Sequence, residues 1–405
     1  MTKKRVLMMS SLFSLFLTGC HLFPSSNTDQ PDTPDDSTEK PADAPGSDEE
    51  SADTAAEDPK NTVSFYGLGD NLIHQQINEY AQVDEQTYDF KPIYSHISDR
   101  ISEADLAFIN QESIIGGNEL GFSGYPAFNT PSDMAKDLVD LDFDIVTGSN
   151  NHSLDKGTIG IQNTLQYWEP YADDLLFTGV FDSQEQRDTI PVIEKNGMTF
   201  SVLTYTYGTN GIAPDYSYQL NYFDPELITA DVERAQELSD FVMVSAHWGD
   251  EHVFEPNEMQ YDYAQLFADL DVDVVVGNHS HTIQPIEWVT GEEGNETLVI
   301  YSLGNAIAST LSDRNLLGGS VQFDFVEEDQ DFYIENVQFK PQVIHYEEDI
   351  PGDIDSRTNF KIYPLEDYPE DKAAQHALDG VEDNLISVEH FQQTVDEVID
   401  AEFLE

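Results

Sequence analysis

Cysteine is nearly absent from this chain: Cys20 is the only one in 405 residues, which excludes an internal disulfide and any metal site built from thiolates. Basic residues are almost as scarce. Lys and Arg number 17 against 79 Asp and Glu, for a formal net charge of −62. Such a surface repels nucleic acid and anionic lipid headgroups, which excludes both as partners of the folded body. A polyanion is repelled as well, except where bound cations reverse the local sign. For most of these carboxylates solubility is explanation enough. Long apolar runs are also missing, since the longest, Val6 to Leu17, is too short to span a bilayer comfortably. No internal repeat and no second membrane span are found.

What the N-terminus does have is an address. A basic Lys3-Lys4-Arg5, the apolar run and Leu17-Thr-Gly-Cys20 come in the order of an export signal, and the last tetrapeptide resembles a bacterial lipobox. The weaker alternative is an ordinary secretory signal with an unrelated cysteine. The expectation is a signal peptide at 1–19, lipidation of Cys20, and a protein on the extracellular face of a bacterial cell membrane held by its lipid anchor alone. More than one acyl chain makes such an anchor firm. Residues 20–61 are Pro, Asp, Glu, Ser, Thr and Ala with few large apolar groups, the composition of a disordered acidic tether. At full stretch it would reach on the order of 100 Å.

From Thr62 apolar strands alternate with helical patterns, which predicts an α/β domain over 62–345. Helices are expected over Pro92 to Glu103, Pro131 to Leu141 with Thr130 as cap, Ile159 to Trp168, Asp231 to Ser239 and Asn257 to Leu270. A late antiparallel hairpin is expected from the alternation around Ser320 and Phe332. Residues 346–405 read as an acidic C-terminal extension that closes in an amphipathic helix, Val388 to Phe403.

Six apolar runs each end in a polar cluster, at Gly69-Asp70, Asn110-Gln-Glu112, Asn150-Asn-His152, His247-Trp-Gly, Gly277-Asn-His-Ser-His281 and Ser302-Leu-Gly-Asn305. Ligands of open α/β sheets collect beyond the carboxyl ends of strands, so these clusters are expected to share one crevice. His279 and His281 alternate by two; on an extended chain they would point to one side with Cα atoms roughly 6.5–7 Å apart. Carboxylate, amide and imidazole together form the ligand set of a hydrolytic dinuclear centre. No subset matches a zinc finger, and the serine at position 280 has no oxyanion-hole signature.

In order, Gly69-Asp70, Asn110-x-Glu112, Asn150-Asn-His-x-x-Asp-x-Gly157, His247-Trp-Gly-x-Glu251, Gly277-x-His-x-His281 and Ser302-Leu-Gly-Asn305 resemble the CapA family of poly-γ-glutamate capsule synthesis proteins, itself similar to the calcineurin-like metallophosphoesterases. The resemblance covers about Thr62 to Asn305. It implies a four-layer α/β/β/α sandwich of two mixed sheets, metallophosphatase-like. It also implies two divalent ions drawn from Mn, Zn, Fe or Mg: Asp70 and His281 on one, Glu112 bridging, and Asn151, His247 and His279 on the other. His152 would be the acid for the leaving group, and Glu251 would orient a ligand or bind substrate. Asp155 either supports His152 or caps the following helix. The chain departs from the phosphoesterase pattern at Leu72, where a histidine is usual, so the first metal would lack a ligand or recruit Asn71, His74 or a water. Ser280 stands where a proline is usual, which softens the turn.

Two functions are compatible with this set. One is a metal-dependent hydrolase acting in poly-γ-glutamate capsule synthesis or processing, on a phosphoester or on the polymer. The other is a non-catalytic, metal-dependent polymer-binding or export component of a membrane capsule-synthesis complex.

Overall fold

A computed structural model describes residues 60–404. The signal peptide at 1–19, Cys20 and all of the tether but its last two residues lie outside the described residues. Asn61 already belongs to the first strand.

The chain builds one sheet, leaves it for a second, and returns. It begins with β1 (Asn61–Asn71), β2 (Leu106–Asn110), β3 (Ile145–Thr147) and β4 (Leu176–Thr178), which run parallel to one another. The second sheet takes β5 (Val192–Lys195), β6 (Met198–Thr206), β7 (Phe241–His247), β8 (Val274–Asn278), β9 (Ile286–Thr290) and β10 (Glu296–Ile300). Its order is β5-β6-β7-β8-β10-β9, with β6, β7, β8 and β10 parallel and both edges antiparallel. Returning to the first sheet, β11 (Asn305–Ile307) lies parallel to β1, while β12 (Leu317–Glu328), β13 (Asp331–Glu348) and β14 (Arg357–Pro364) extend its other side antiparallel. Both sheets are mixed, as the α/β sandwich requires.

The inner faces meet through aromatic side chains. Phe325 of β12 packs on Phe200 of β6 and Phe241 of β7, with ring centroids 4.8 and 4.7 Å apart. Outside the second sheet, the helices Pro225–Gln236 and Glu258–Asp269 bury Val232, Ala235, Ala264 and Phe267 against Val242, Val244, Val275 and Val299. The helix Gln75–Ala81 and the turn Lys91–Tyr94 pack on β14 of the first sheet. Helix, sheet, sheet and helix thus form four layers. Because helices and the opposing sheet cover both faces, central strands such as Val274-Val-Val-Gly need no polar alternation.

Several expectations need correction. The boundary placed at 345 falls inside β13, and β14 completes the first sheet, so the end of β13 and all of β14 belong to the domain rather than to an extension. Phe360 and Ile362 alternate inward between acidic segments whose charge masked the strand. Thr130 caps nothing: its hydroxyl donates to Ser113 Oγ at 2.8 Å, and the helix runs Asp133–Asp140. The helix expected from Asp231 starts at Pro225 and is capped by Asp224, which accepts from the Glu226 and Leu227 amides. The helix expected from Asn257 runs Glu258–Asp269, with Asn257 as its cap in a reciprocal capping box with Gln260.

Candidate metal centre

The parallel strands of both sheets end on one crevice, and their motif glycines let neighbouring strand ends of each sheet approach closely there. A Cβ on Gly69 would come within 2.0 Å of Gly304 O, and one on Gly277 within 2.0 Å of Tyr301 O. Both positions therefore admit only glycine. The turn after β8 is tighter than an extended chain: β8 stops at Asn278, and His279 and His281 take left-handed backbone angles, φ 96° and 56°. The reason is a set of bonds that folds the turn back. The His279 amide donates to Asp70 Oδ2 at 3.1 Å, the His252 amide to Ser280 O at 2.7 Å, and Asn315 Nδ2 to His281 O at 2.9 Å. Such angles cost about 1–3 kcal/mol each and persist only where surroundings over-determine them. The two imidazoles still converge, with centroids 6.0 Å apart.

Asp70, Glu112, His247, His279 and His281 are all buried and close together. Ligand atoms in three groups lie within 4.8 Å of one another: Asp70, Glu112 and His281; Glu112, His247 and His279; and Glu251, His279 and His281. Glu112 is the residue most in need of a cation. It is fully buried, and neither carboxylate oxygen has a hydrogen-bond partner among the described residues; His247 Nε2 and His281 Nδ1 stand 3.6 Å away on either side. His279 Nδ1 is likewise buried without a partner. Unsatisfied buried carboxylates are costly, and a cation between these atoms would satisfy them together. The residues fit divalent metal.

Electrostatics are set by the same packing. Burial would raise Asp70, but the His281 hydrogen bond and charge hold its carboxyl below the usual range. His281 is pushed up to about 10: Glu112 and Asp70 outweigh the burial that opposes its charge. His279 moves the other way, well below its ordinary value, through burial and the neighbouring His247 and His281. It is kept neutral with a lone pair available, the form that ligates.

Asn151 Oδ1 accepts from His247 Nε2 at 3.0 Å, and Asn110 holds both Asp70, at 2.8 Å, and the far nitrogen of His247, at 3.5 Å. His152 is next to Asn151 in sequence but outside the three groups. Its Nδ1 donates to Asp155 Oδ2 at 2.8 Å, while Phe128 packs edge-on against the ring. Asp155 does not cap the following helix, whose N-cap is Lys156; the same carboxylate oxygen also accepts the Phe128 amide at 2.7 Å. Trp248 is fully buried and donates to Tyr301 O, so it packs rather than covers the crevice. Asn305 accepts from His281 Nδ1 at 3.0 Å. The candidates for the missing ligand do not join these groups. Leu72 lies in the core, and Asn71 is bonded to Gln111 at 2.6 Å and Tyr94 at 2.7 Å. His74 Nδ1 accepts the Ser309 amide at 3.2 Å.

Sequence patterning did not single out Tyr207 and Asn210. Tyr207 lies over His279, centroids 4.4 Å apart, and Asn210 Oδ1 accepts from Asn151 at 3.4 Å. A signal existed: β6 is a seventh apolar run, ending at Tyr207-Gly-Thr-Asn210 like the other six.

Residues 64–310 match the family model described as bacterial capsule synthesis protein PGA_cap. Over 180 residues the chain is 30% identical to the PGA biosynthesis protein CapA of Bacillus subtilis (strain 168), covering 44% of this chain and 46% of that protein. Over 261 residues it is 24% identical to the capsule biosynthesis protein CapA of Bacillus anthracis, covering 62% and 60%. The chain thus spans about half to three-fifths of the length of these relatives. Among solved structures, the calcineurin-like phosphoesterase YfkN from Bacillus subtilis aligns with a TM-score of 0.45 at 12% identity, over 84% of this chain and 98% of that one.

Proposed function

The chain belongs to the bacterial capsule synthesis protein family, and from that membership we propose that it is a metal-dependent hydrolase of the cell envelope acting in synthesis or processing of a poly-γ-glutamate capsule. The observation that carries the metal reading is Glu112, a buried carboxylate with both oxygens unpartnered between His247 and His281. Asp70, Glu112 and His281 would hold one ion, and Glu112, Asn151, His247 and His279 a second. When bound, such ions supply Lewis acidity and acidify water at the scissile bond. The protein's own groups do the rest. Asp155 holds Nδ1 of His152 and so orients the ring, leaving Nε2 as the nitrogen that would carry a proton to the leaving group. Asn110 and Asn305 orient His247 and His281 through the ring nitrogens they contact.

An anionic substrate is otherwise unwelcome on a chain of net charge −62, so the cations would also select it. Lipidation at Cys20 would hold the domain at the outer face of the membrane. Cys20→Ala should release it from membranes, and an unmodified Cys20 thiol in membrane-extracted protein would refute the anchor.

The test of catalysis compares His152→Ala with His279→Ala, on aryl phosphoesters and on poly-γ-glutamate. His152→Ala should keep its metal and lose turnover; His279→Ala should lose metal. A second reading, polymer binding or export without hydrolysis, is favoured by Leu72 in place of a ligand histidine. It prevails if the wild type turns over neither substrate with any of several metals while capsule retention still depends on Asp70 and His279.

A further inference from the structure

Position 72 leaves the Asp70 side of the centre without the histidine of the phosphoesterase pattern, and none of the three ligand groups includes His74. Leu72 is aliphatic and packed in the core, both ends of the Asn71 amide are bonded elsewhere, and His74 Nδ1 is taken by the Ser309 amide. Asp70, Glu112 and His281 remain. The crevice has one more carboxylate, and it comes from the opposite sheet. A Glu251 oxygen lies within 4.8 Å of ring nitrogens of both His279 and His281.

The backbone on either side of Glu251 is pinned to the histidine turn it faces. The Trp248 amide donates to Asn278 O at 3.2 Å, the Trp248 indole to Tyr301 O at 2.9 Å, and the His252 amide to Ser280 O at 2.7 Å. Gly249, at φ 94°, turns the chain between those anchors, where a Cβ would strike Gln260. Both the histidines and the carboxylate are therefore held by a common framework. The Glu251 side chain is 45% exposed, and its ion-pair neighbour, His252, is 3.7 Å away, so the carboxylate can swing inward at little cost.

We propose that Glu251 is a metal ligand, supplying to the ion of Asp70, Glu112 and His281 the donor that position 72 lacks. The proposal rests on the metal-centre reading and adds a chemical consequence to it. Three carboxylates and one imidazole are a hard, oxygen-rich set that suits Mn or Mg, whereas His247, His279 and Asn151 with Glu112 form a more nitrogen-rich one. The two positions should therefore differ in metal preference.

The experiment uses the full chain, stripped with chelator and titrated with Mn(II), free and bound metal being counted by spin resonance and calorimetry. Wild type should show two classes of site. Glu251→Gln should weaken one class roughly tenfold or more and leave the other unchanged. Glu251→Asp should fall between, and Glu255→Gln, in the same loop, should match wild type. His279→Ala separates the two failures. If it loses an ion while Glu251→Gln binds both as wild type does, the centre stands and the Glu251 assignment is overturned. If wild type takes up no Mn(II), both fall together. An apoprotein of unchanged thermal stability in Glu251→Gln shows that lost binding is not lost fold.

Discussion

His152 donates to Asp155 at 2.8 Å through Nδ1, and the oxygen that receives it also accepts the backbone amide of Phe128. The pair sits beside, not among, the residues grouped for metal. Removing either partner should therefore affect turnover and leave the metal in place. His152→Ala is expected to lower kcat by about 10²–10⁴-fold, the usual contribution of a positioned acid. Asp155→Asn should lose less, since an amide oxygen can still accept from both the Phe128 amide and His152 Nδ1. Metal content per chain, measured beside kcat, checks both. Equal metal loss from His152→Ala and His279→Ala would show that His152 is a ligand.

Glu112 makes a thermodynamic prediction. An ion that binds the folded chain alone stabilises it by about 2.7 kcal/mol when free metal is 100 times its Kd. Adding Mn(II) or Zn(II) to the apoprotein should therefore raise Tm, and Glu112→Ala should abolish the rise because it removes the carboxylate shared by the Asp70–His281 and His247–His279 groups. Differential scanning calorimetry with and without metal decides it. An undiminished shift in Glu112→Ala would contradict the bridging role.

The crevice was legible because central strands covered on both faces read as continuous apolar runs, against which the polar cluster closing each run stands out. Asp70, Glu112, Asn151, His247, His279 and His281 were found that way. The conformation of the last two was not. Nothing local announces that His279 and His281 leave the strand with positive φ, since the bonds that bend them come from Asp70, His252 and Asn315, which are distant in sequence or lie in another loop. Tyr207 and Asn210 were missed through a strand that was overlooked, and β14 through acidic flanks that hid the alternation of Phe360 and Ile362. Asp155 illustrates the remaining limit. A carboxylate two residues before a helical glycine reads equally as a cap or as a partner for His152, and only the loop carrying Phe128, folded in from 27 residues away, distinguishes them.

The glycine near the end of β8 should be intolerant of any side chain. In Gly277→Ala the new methyl would meet Tyr301 O at 2.0 Å and Ile300 O at 2.6 Å, both backbone atoms of an adjoining strand and its end, which cannot turn aside. Overpacking of this kind costs about 1–3 kcal/mol and forces backbone shifts. The shift would fall on the turn carrying His279 and His281. Gly277→Ala should lower Tm and weaken metal binding together, whereas Gly197→Ala, in a turn with open space around it, should lower Tm alone through its φ of 80°. Parallel unfolding and metal titrations test this, and a Gly277→Ala variant with wild-type affinity would show that the turn is positioned independently of β8.

Far from the metal, His376 should set part of the acid sensitivity of the fold. It is buried against Tyr346 and His345, its Nδ1 accepts the Leu378 amide at 3.0 Å, and its Nε2 has no partner among the described residues. Burial, aided by the nearby His345, pushes it down to about 3. In the unfolded chain an ordinary histidine titrates near 6.5. The neutral form is therefore favoured by folding, and between those two values the unfolded state binds the extra proton. Its contribution to stability is fully present above about pH 6.5 and is lost as pH falls toward about 3, at up to about 1.4 kcal/mol per pH unit for one proton. His376→Gln removes the titration and should flatten the fall of unfolding free energy between pH 6 and 4 by up to that slope, whatever it does to stability at pH 8. Urea unfolding of metal-free protein across that range measures it. An unchanged slope would mean that His376 is already charged in the native state or that the acid loss is carried by other groups.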